Sequence, residues 1–175
     1  MLQPIKELEN WNRNCDPWDY ENNPEDKKRK NILLSEIPEK KYKNVLNIGC
    51  GQGFITRDLP GENILGIDIS YEAIKKAKHY ETDKIKFQQA SLFDLGEIGI
   101  GGFDLVIITG ELYPQYIGHS LNLIYSIIDG ILNERGTLIS VHINEWYRAR
   151  FPYLLLREYF YNYREYTHRL EVYVK

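Results

Sequence analysis

Five short apolar runs organise the chain: 45-VLNI-48, 64-ILGIDI-69, 85-IKF-87, 103-FDLVIIT-109 and 137-TLISVHI-143. Each is rich in branched residues, as parallel strands buried on both faces are. Between the runs the spacing becomes helical. Residues 25–37 set Ile32, Leu33 and Ile37 on one face and stop at Pro38. Residues 54–59 are expected to open a helix after a glycine cluster. Residues 71–80 gather Ala73, Ile74 and Ala77, with Ser70 as N-cap. Residues 118–133 carry Leu121, Ile124, Ile127, Ile128 and Ile131, and Gly136 follows as a turn residue. Strand–helix alternation of this kind predicts an α/β, doubly wound, Rossmann-like sheet. Near the C-terminus, 170-LEVYVK-175 alternates strictly and 160-FYNYREYT-167 is strand-like, so an antiparallel hairpin is expected, turning at His168-Arg169.

Residues 1–24, with Trp11, Trp18 and Tyr20 and punctuated by Pro17 and Pro24, read as a helix or arm followed by a loop. There is no repeat, low-complexity tract or linker. A single domain over 1–175 is expected, with 1–24 as an arm or lid and 25–175 as the core.

Composition narrows the class. The chain has 175 residues, 43% hydrophobic and 27% charged, enough for one domain with a real core. A net charge of −3 removes the bulk attraction typical of nucleic-acid binders. Two cysteines, Cys15 and Cys50, make no disulfide framework and fit a reducing compartment. MLQPIKELENW lacks the apolar core of a signal peptide, and no run nears the ~20 residues of a membrane span. A soluble, cytoplasmic protein is the expectation. No Cys/His cluster has zinc spacing, so no metal is expected. Lys27, Lys28, Arg29 and Lys30, joined by Lys40, Lys41 and Lys43, read as a solvated basic face, with a phosphate-bearing substrate as the alternative. Tyrosine is abundant, with 14 copies. Tyr153, Tyr159, Tyr161 and Tyr163 fit a partner surface or a packed hairpin equally, and a homo-oligomer stays open.

The first strand runs into 49-GCGQG-53. A strand, a glycine loop and a helix form a nucleotide-binding layout, in which the backbone approaches the ligand and offers amide donors. The bland alternative is a corner that needs glycine for its turn. Gly49, Gly51 and Gly53 depart from the dinucleotide fingerprint, because Phe54 stands where its last glycine belongs. No Gly-Lys-Ser/Thr follows, so this is not a P-loop. Asp68 ends the second strand, where a carboxylate can accept both ribose hydroxyls.

Asn47-Ile-Gly-Cys-Gly-Gln-Gly, then Gly66-Ile-Asp68-Ile-Ser, then Phe103-Asp-Leu-Val-Ile-Ile-Thr resemble the class I S-adenosylmethionine-dependent methyltransferases, from about residue 28 to the end. More loosely, 15-CDPWDY-20 and 111-ELY-113 resemble small methyltransferases of the nodulation type. The resemblance implies a seven-stranded sheet with its last strand antiparallel, S-adenosyl-L-methionine over the glycine loop, and Asp68 on its ribose. It further implies cofactor contacts at Asn47, Ile69, Ser91, Leu92 and Gly110. Trp18 and Tyr20 of 16-DPWDY-20 read equally as a lid over cofactor or substrate and as a hydrophobic clamp holding the N-terminal arm to the core. Two departures stand out. Asn47 replaces the family's usual acid near the methionine amino group, and Ser91, with Asp94 nearby, stands where an acid often meets the adenine.

Methyl transfer from a sulfonium is an in-line displacement, so the protein mainly aligns acceptor and methyl. Groups for that work belong at the C-terminal ends of the strands. Glu111, as a charge anchor, and Tyr113 follow the fourth strand, and His142, as a base, lies near the end of the fifth. Their bland alternatives are a solvated acid, a core tyrosine and a packed histidine. His79, His119 and His168 read as surface residues. The expected substrate is a small molecule, such as an amino sugar or another metabolite, methylated on nitrogen or oxygen. The alternatives are a nucleic-acid or protein methyltransferase and a non-catalytic cofactor-binding subunit. The first lacks an Asn/Asp-Pro-Pro-aromatic stretch at 109-TGELYP-114. Asn47 and Ser91 keep the second open.

Overall fold

A computed structural model describes residues 4–13, 19–96 and 101–175. Seven strands form one sheet: β1 (Asn44–Ile48), β2 (Asn63–Asp68), β3 (Ile85–Gln89), β4 (Phe103–Thr109), β5 (Leu132–Ile143), β6 (Leu154–Tyr163) and β7 (Tyr166–Val174). Their order is β3-β2-β1-β4-β5-β7-β6. The first five are mutually parallel, and β7 runs antiparallel between β5 and β6. The helices are α1 (Ile5–Arg13), α2 (Pro24–Glu36), α3 (Tyr71–Ala77), α4 (Pro114–Ile117) and α5 (Leu121–Ile131).

The unalternating apolar runs have the expected cause. Along β4, Val106 and Ile108 pack with Ile124 and Ile128 of α5 on one face. Leu105 and Ile107 pack with Leu33 of α2 on the other. Each such side chain removed from water contributes about 1.5–3 kcal/mol. Ser70 caps α3 as expected, accepting from the Ala73 amide at 3.2 Å. Because β1 pairs with both β2 and β4, the chain winds outward on both sides of β1 and leaves a crevice at the strands' C-terminal ends.

Several boundaries differ from expectation. Residues 54–59 form only a single tight turn, Thr56–Asp58, between Gly53 and Pro60, and the Asn47 amide donates to the Thr56 hydroxyl at 2.9 Å. The 118–133 helix begins at Leu121, since Gly118 at φ +57° separates α4 from α5. β5 begins at Leu132, where it pairs with Phe103 before a register shift. The hairpin turns at Arg164-Glu165, not His168-Arg169. Arg164 takes φ +54°, and residues 166–174 extend as one strand. His168 is therefore buried in β7 rather than exposed at a turn, while His79 and His119 are exposed as expected.

Candidate active site

Three strand ends and one helix start meet over the glycine loop. Gly49 lies at φ +70° directly beneath Glu111, and a Cβ on it would overlap the Glu111 carboxyl. A Cβ at Gly53 would come within 2.8 Å of the Phe87 ring, the same ring that lies 2.7 Å from a Cβ built at Gly66. Gly53 therefore serves the packing of loop on sheet and lies outside the cavity wall, which corrects its expected place among the ligand contacts. Gly51 has nothing within 4 Å of its missing side chain and does face the cavity. Two glycines are required by neighbouring atoms, and the middle one leaves space.

Asp68 pins this loop. Its Oδ2 accepts from the Gly51 amide and its Oδ1 from the Ser70 amide, both at 2.8 Å. Each oxygen keeps a further acceptor site toward the cavity. Burial raises the Asp68 pKa, partly offset by the Ser70 and Gly51 amides, and the charge on Glu9 raises it further. Glu111 is pushed up to about 8, by burial first and by Asp68 second. Cys50, 6% exposed, is raised well above the ordinary thiol value by burial, so its thiol stays protonated and inert.

A cavity of about 530 Å³ covers this floor. Asn47, Gly49, Gly51, Asp68, Ile69, Ser91, Leu92, Gly110, Glu111, Tyr113 and Tyr20 all line it, so the structure brings these expected residues together. Trp18 lies outside the described residues. Asn47 is 1% exposed, and its Oδ1 has no hydrogen-bond partner. Asp94 is drawn away from the site, closing a reciprocal cap with Ser91 by accepting from its amide at 2.9 Å. Tyr20 stacks on Phe54 with ring centres 5.5 Å apart.

His142 does not fit the expected base. It is 1% exposed and is absent from the cavity wall. Its Nε2 accepts from the Leu112 amide at 3.2 Å, and its Nδ1 lies 3.0 Å from the Ser140 hydroxyl. Burial, first of all, lowers its pKa to about 3, and the nearby Arg169 charge acts in the same direction. The ring is a neutral bracket between β5 and the β4–α4 loop. Tyr113 does face the cavity. Its hydroxyl accepts from the Ile143 amide at 2.9 Å, and burial lifts its pKa to about 12, so it is a neutral donor.

Two parts of the wall carry residues that the sequence did not single out. One is α1, within the expected arm or lid, which contributes Ile5, Leu8 and Asn12. Glu9 of this helix caps α3, accepting from the Tyr71 amide at 2.7 Å, the Glu72 amide at 3.2 Å and the Ser70 hydroxyl at 3.1 Å. The other is the far end, built by Arg29, Tyr163, Arg164, Tyr166 and His168. Arg29 had been counted within a solvated basic face, yet it is 9% exposed. The periodicity held a signal. Stepping back from Leu33 by four and seven residues reaches Arg29 and Asp26 on the same buried helix face. Among the described residues no group of three or more His, Cys, Asp or Glu side chains is placed to hold a metal. None of their helices is long and apolar enough to cross a membrane.

Residues 39–168 match the family model of a methyltransferase domain. A trans-aconitate 2-methyltransferase from Deinococcus radiodurans is 34% identical over 84 residues, which is 46% of this chain and 31% of that protein. The chain thus spans under a third of this curated relative. Among solved structures, the N-methyltransferase NodS from Bradyrhizobium japonicum, bound to S-adenosyl-L-homocysteine, superposes with a TM-score of 0.80 at 19% identity. The match covers 98% of this chain and 97% of NodS. Magnesium protoporphyrin IX methyltransferase from Synechocystis, bound to S-adenosylmethionine, gives 0.68 at 18% identity, covering 100% of this chain and 98% of that one.

Proposed function

The chain belongs to the class I S-adenosylmethionine-dependent methyltransferases, and from that premise we propose that it methylates a nitrogen or oxygen of a small molecule. The carrying observation is Asp68. Its two oxygens are oriented by the glycine loop and the start of α3, at the wall of a cavity that also presents the unpartnered Asn47 Oδ1. The site fits S-adenosylmethionine: Asp68 would accept the ribose hydroxyls, Asn47 Oδ1 the methionine amino group, and Ile69, Ser91 and Leu92 would flank the adenine. Asparagine at position 47 supplies the acceptor without the usual charge.

When bound, the cofactor supplies an electrophilic methyl whose bond to sulfur breaks, the electron pair staying on sulfur, as the acceptor's lone pair takes the carbon. The acceptor must also lose a proton. Glu111 is suited to receive it, because a carboxyl with a pKa near 8 is close to the operating pH. A cation beside it would favour its ionised form. Tyr113, with its hydroxyl oxygen committed to the Ile143 amide, keeps its own O–H to orient an acceptor. Tyr113, Tyr116 and Trp146 enclose this end of the cavity, which favours a compact acceptor over a polymer. The curated relative named for trans-aconitate supports a small-molecule acceptor.

Two measurements test the reading. Isothermal titration of S-adenosyl-L-homocysteine should give saturable binding. Transfer from labelled cofactor to a library of small amines and hydroxy compounds should exceed transfer to RNA, DNA or protein. No binding of cofactor or product at millimolar concentration would refute it.

A further inference from the structure

We propose that the far end of the cavity binds the acceptor through a carboxylate, held by Arg29 and Arg164; this rests on the methyl-transfer reading and specifies its substrate class. α2 places Asp26 and Arg29 one turn apart, and both are buried, Asp26 completely. Asp26 accepts from the Tyr163 hydroxyl at 2.7 Å and the Arg164 Nη2 at 2.9 Å, and lies 3.3 Å from Arg29 Nη2. One carboxylate therefore faces two guanidiniums. Among the described residues, Asp26 is the carboxylate whose charge acts on Arg29. Tyr20 and Tyr163 present rings to the Arg29 guanidinium carbon, at 5.3 and 5.6 Å. Burial and the two arginines lower the His168 pKa to about 3, so it is neutral. Asp68, also on the cavity wall, is tied to the Gly51 and Ser70 amides.

Arg29 supplies a second observation. Its Nε is buried without a hydrogen-bond partner, and the residue lines the cavity. A buried donor left unmade is unfavourable, whereas Nε with an adjacent Nη is the fork that meets a planar carboxylate through two parallel bonds. Aromatic faces on both sides and Asp26 beneath hold this fork in place. The β6–β7 turn brings the second guanidinium to the site, on a backbone at φ +54° that non-glycine residues rarely adopt.

The cofactor's own methionine carboxylate has the same chemistry, so the test separates the two sources. Benzoate and malonate are titrated into the full chain saturated with S-adenosyl-L-homocysteine, alongside benzamide and malonamide. The wild type should bind the acids saturably and the amides at least tenfold more weakly. Arg164→Gln should cost the acids at least tenfold while leaving the affinity for S-adenosyl-L-homocysteine within twofold. Arg29→Lys, which keeps a charge on Asp26 but removes the fork, should cost the acids similarly, and it carries the test if Arg164→Gln fails to unfold cooperatively. Equal binding of acids and amides would overturn the proposal. So would variants that weaken S-adenosyl-L-homocysteine but not 5′-methylthioadenosine, which lacks the carboxylate, since the anion would then be the cofactor's. The same acids titrated into cofactor-free protein separate a failed anion site from a failed cofactor site.

Discussion

Replacing Glu111 by glutamine removes a titration that the fold opposes. The carboxyl is raised from the ordinary glutamate value of 4.5 to about 8, by burial and then by Asp68. Its folded pKa lies above its unfolded one, so between these values the folded state holds more protons. Its contribution to stability is complete below about pH 4.5 and is lost as pH rises through about 8. Each pH unit in that interval is worth about 1.4 kcal/mol, which gives about 5 kcal/mol as an upper bound. Water in the cavity beside Glu111 screens part of this, leaving about 2–4 kcal/mol between pH 5 and pH 9. Urea denaturation of cofactor-free wild type and Glu111→Gln at several pH values reads the effect. The variant should gain on the wild type steadily as pH rises, most steeply between pH 5 and 8. A difference that stays constant from pH 5 to 9 would refute the argument, because the carboxyl would then titrate alike in both states.

Asp68→Asn should weaken S-adenosyl-L-homocysteine about 10- to 100-fold by calorimetry, the loss expected for charge-assisted bonds to two hydroxyls. Alanine at Gly51 and alanine at Gly53 should separate. Gly53→Ala, whose Cβ meets Phe87 at 2.8 Å, should cost about 1–3 kcal/mol of stability beyond its backbone strain. Gly51→Ala meets no protein atom, so it should cost about 1 kcal/mol of stability but tenfold or more in cofactor affinity. Thermal unfolding paired with calorimetry distinguishes them; equal effects of both on stability would count against the assignment. His142→Ala should lower stability by about 2–4 kcal/mol, through lost packing and the orphaned Leu112 amide. The pH profile of kcat/KM in the folded protein should be unchanged, and a lost ionisation there would restore His142 as a base.

The cofactor end was legible in the sequence because its determinants are local. The strand before Gly49, the glycines and Asp68 span two consecutive strands and the loop between them, and their positions follow from where strands end. Tyr113 and Glu111 were readable for the same reason. The sequence left His142 open between a base and a packed histidine, because proximity to a strand's end does not say which face the side chain takes; here it turns into the protein toward Ser140 and the Leu112 amide. Arg29 was hidden by its lysine neighbours, since charge composition averages over a helix while burial depends on one face. The hairpin turn was misplaced because a basic pair at 168–169 resembles a turn. The residue that adopts the left-handed backbone is Arg164, a position propensity does not favour.

The two ends of the cavity differ in how far along the chain their parts lie. Everything that shapes the floor beneath Asp68 has been synthesised once β4 and Glu111 have emerged. Asp26 meets Tyr163 across 137 positions of sequence and Arg164 across 138. On the reading proposed above, a growing chain therefore contains Asp68 and the glycine loop well before it contains the residues proposed to hold the acceptor. Those residues come together only when β7 slots between β5 and β6 and carries the turn back onto α2. Pairings of such long range are slow to form. On that reading, competence to recognise an acceptor is completed last, and a misregistered hairpin would leave a protein able to hold a methyl donor with nothing to deliver it to.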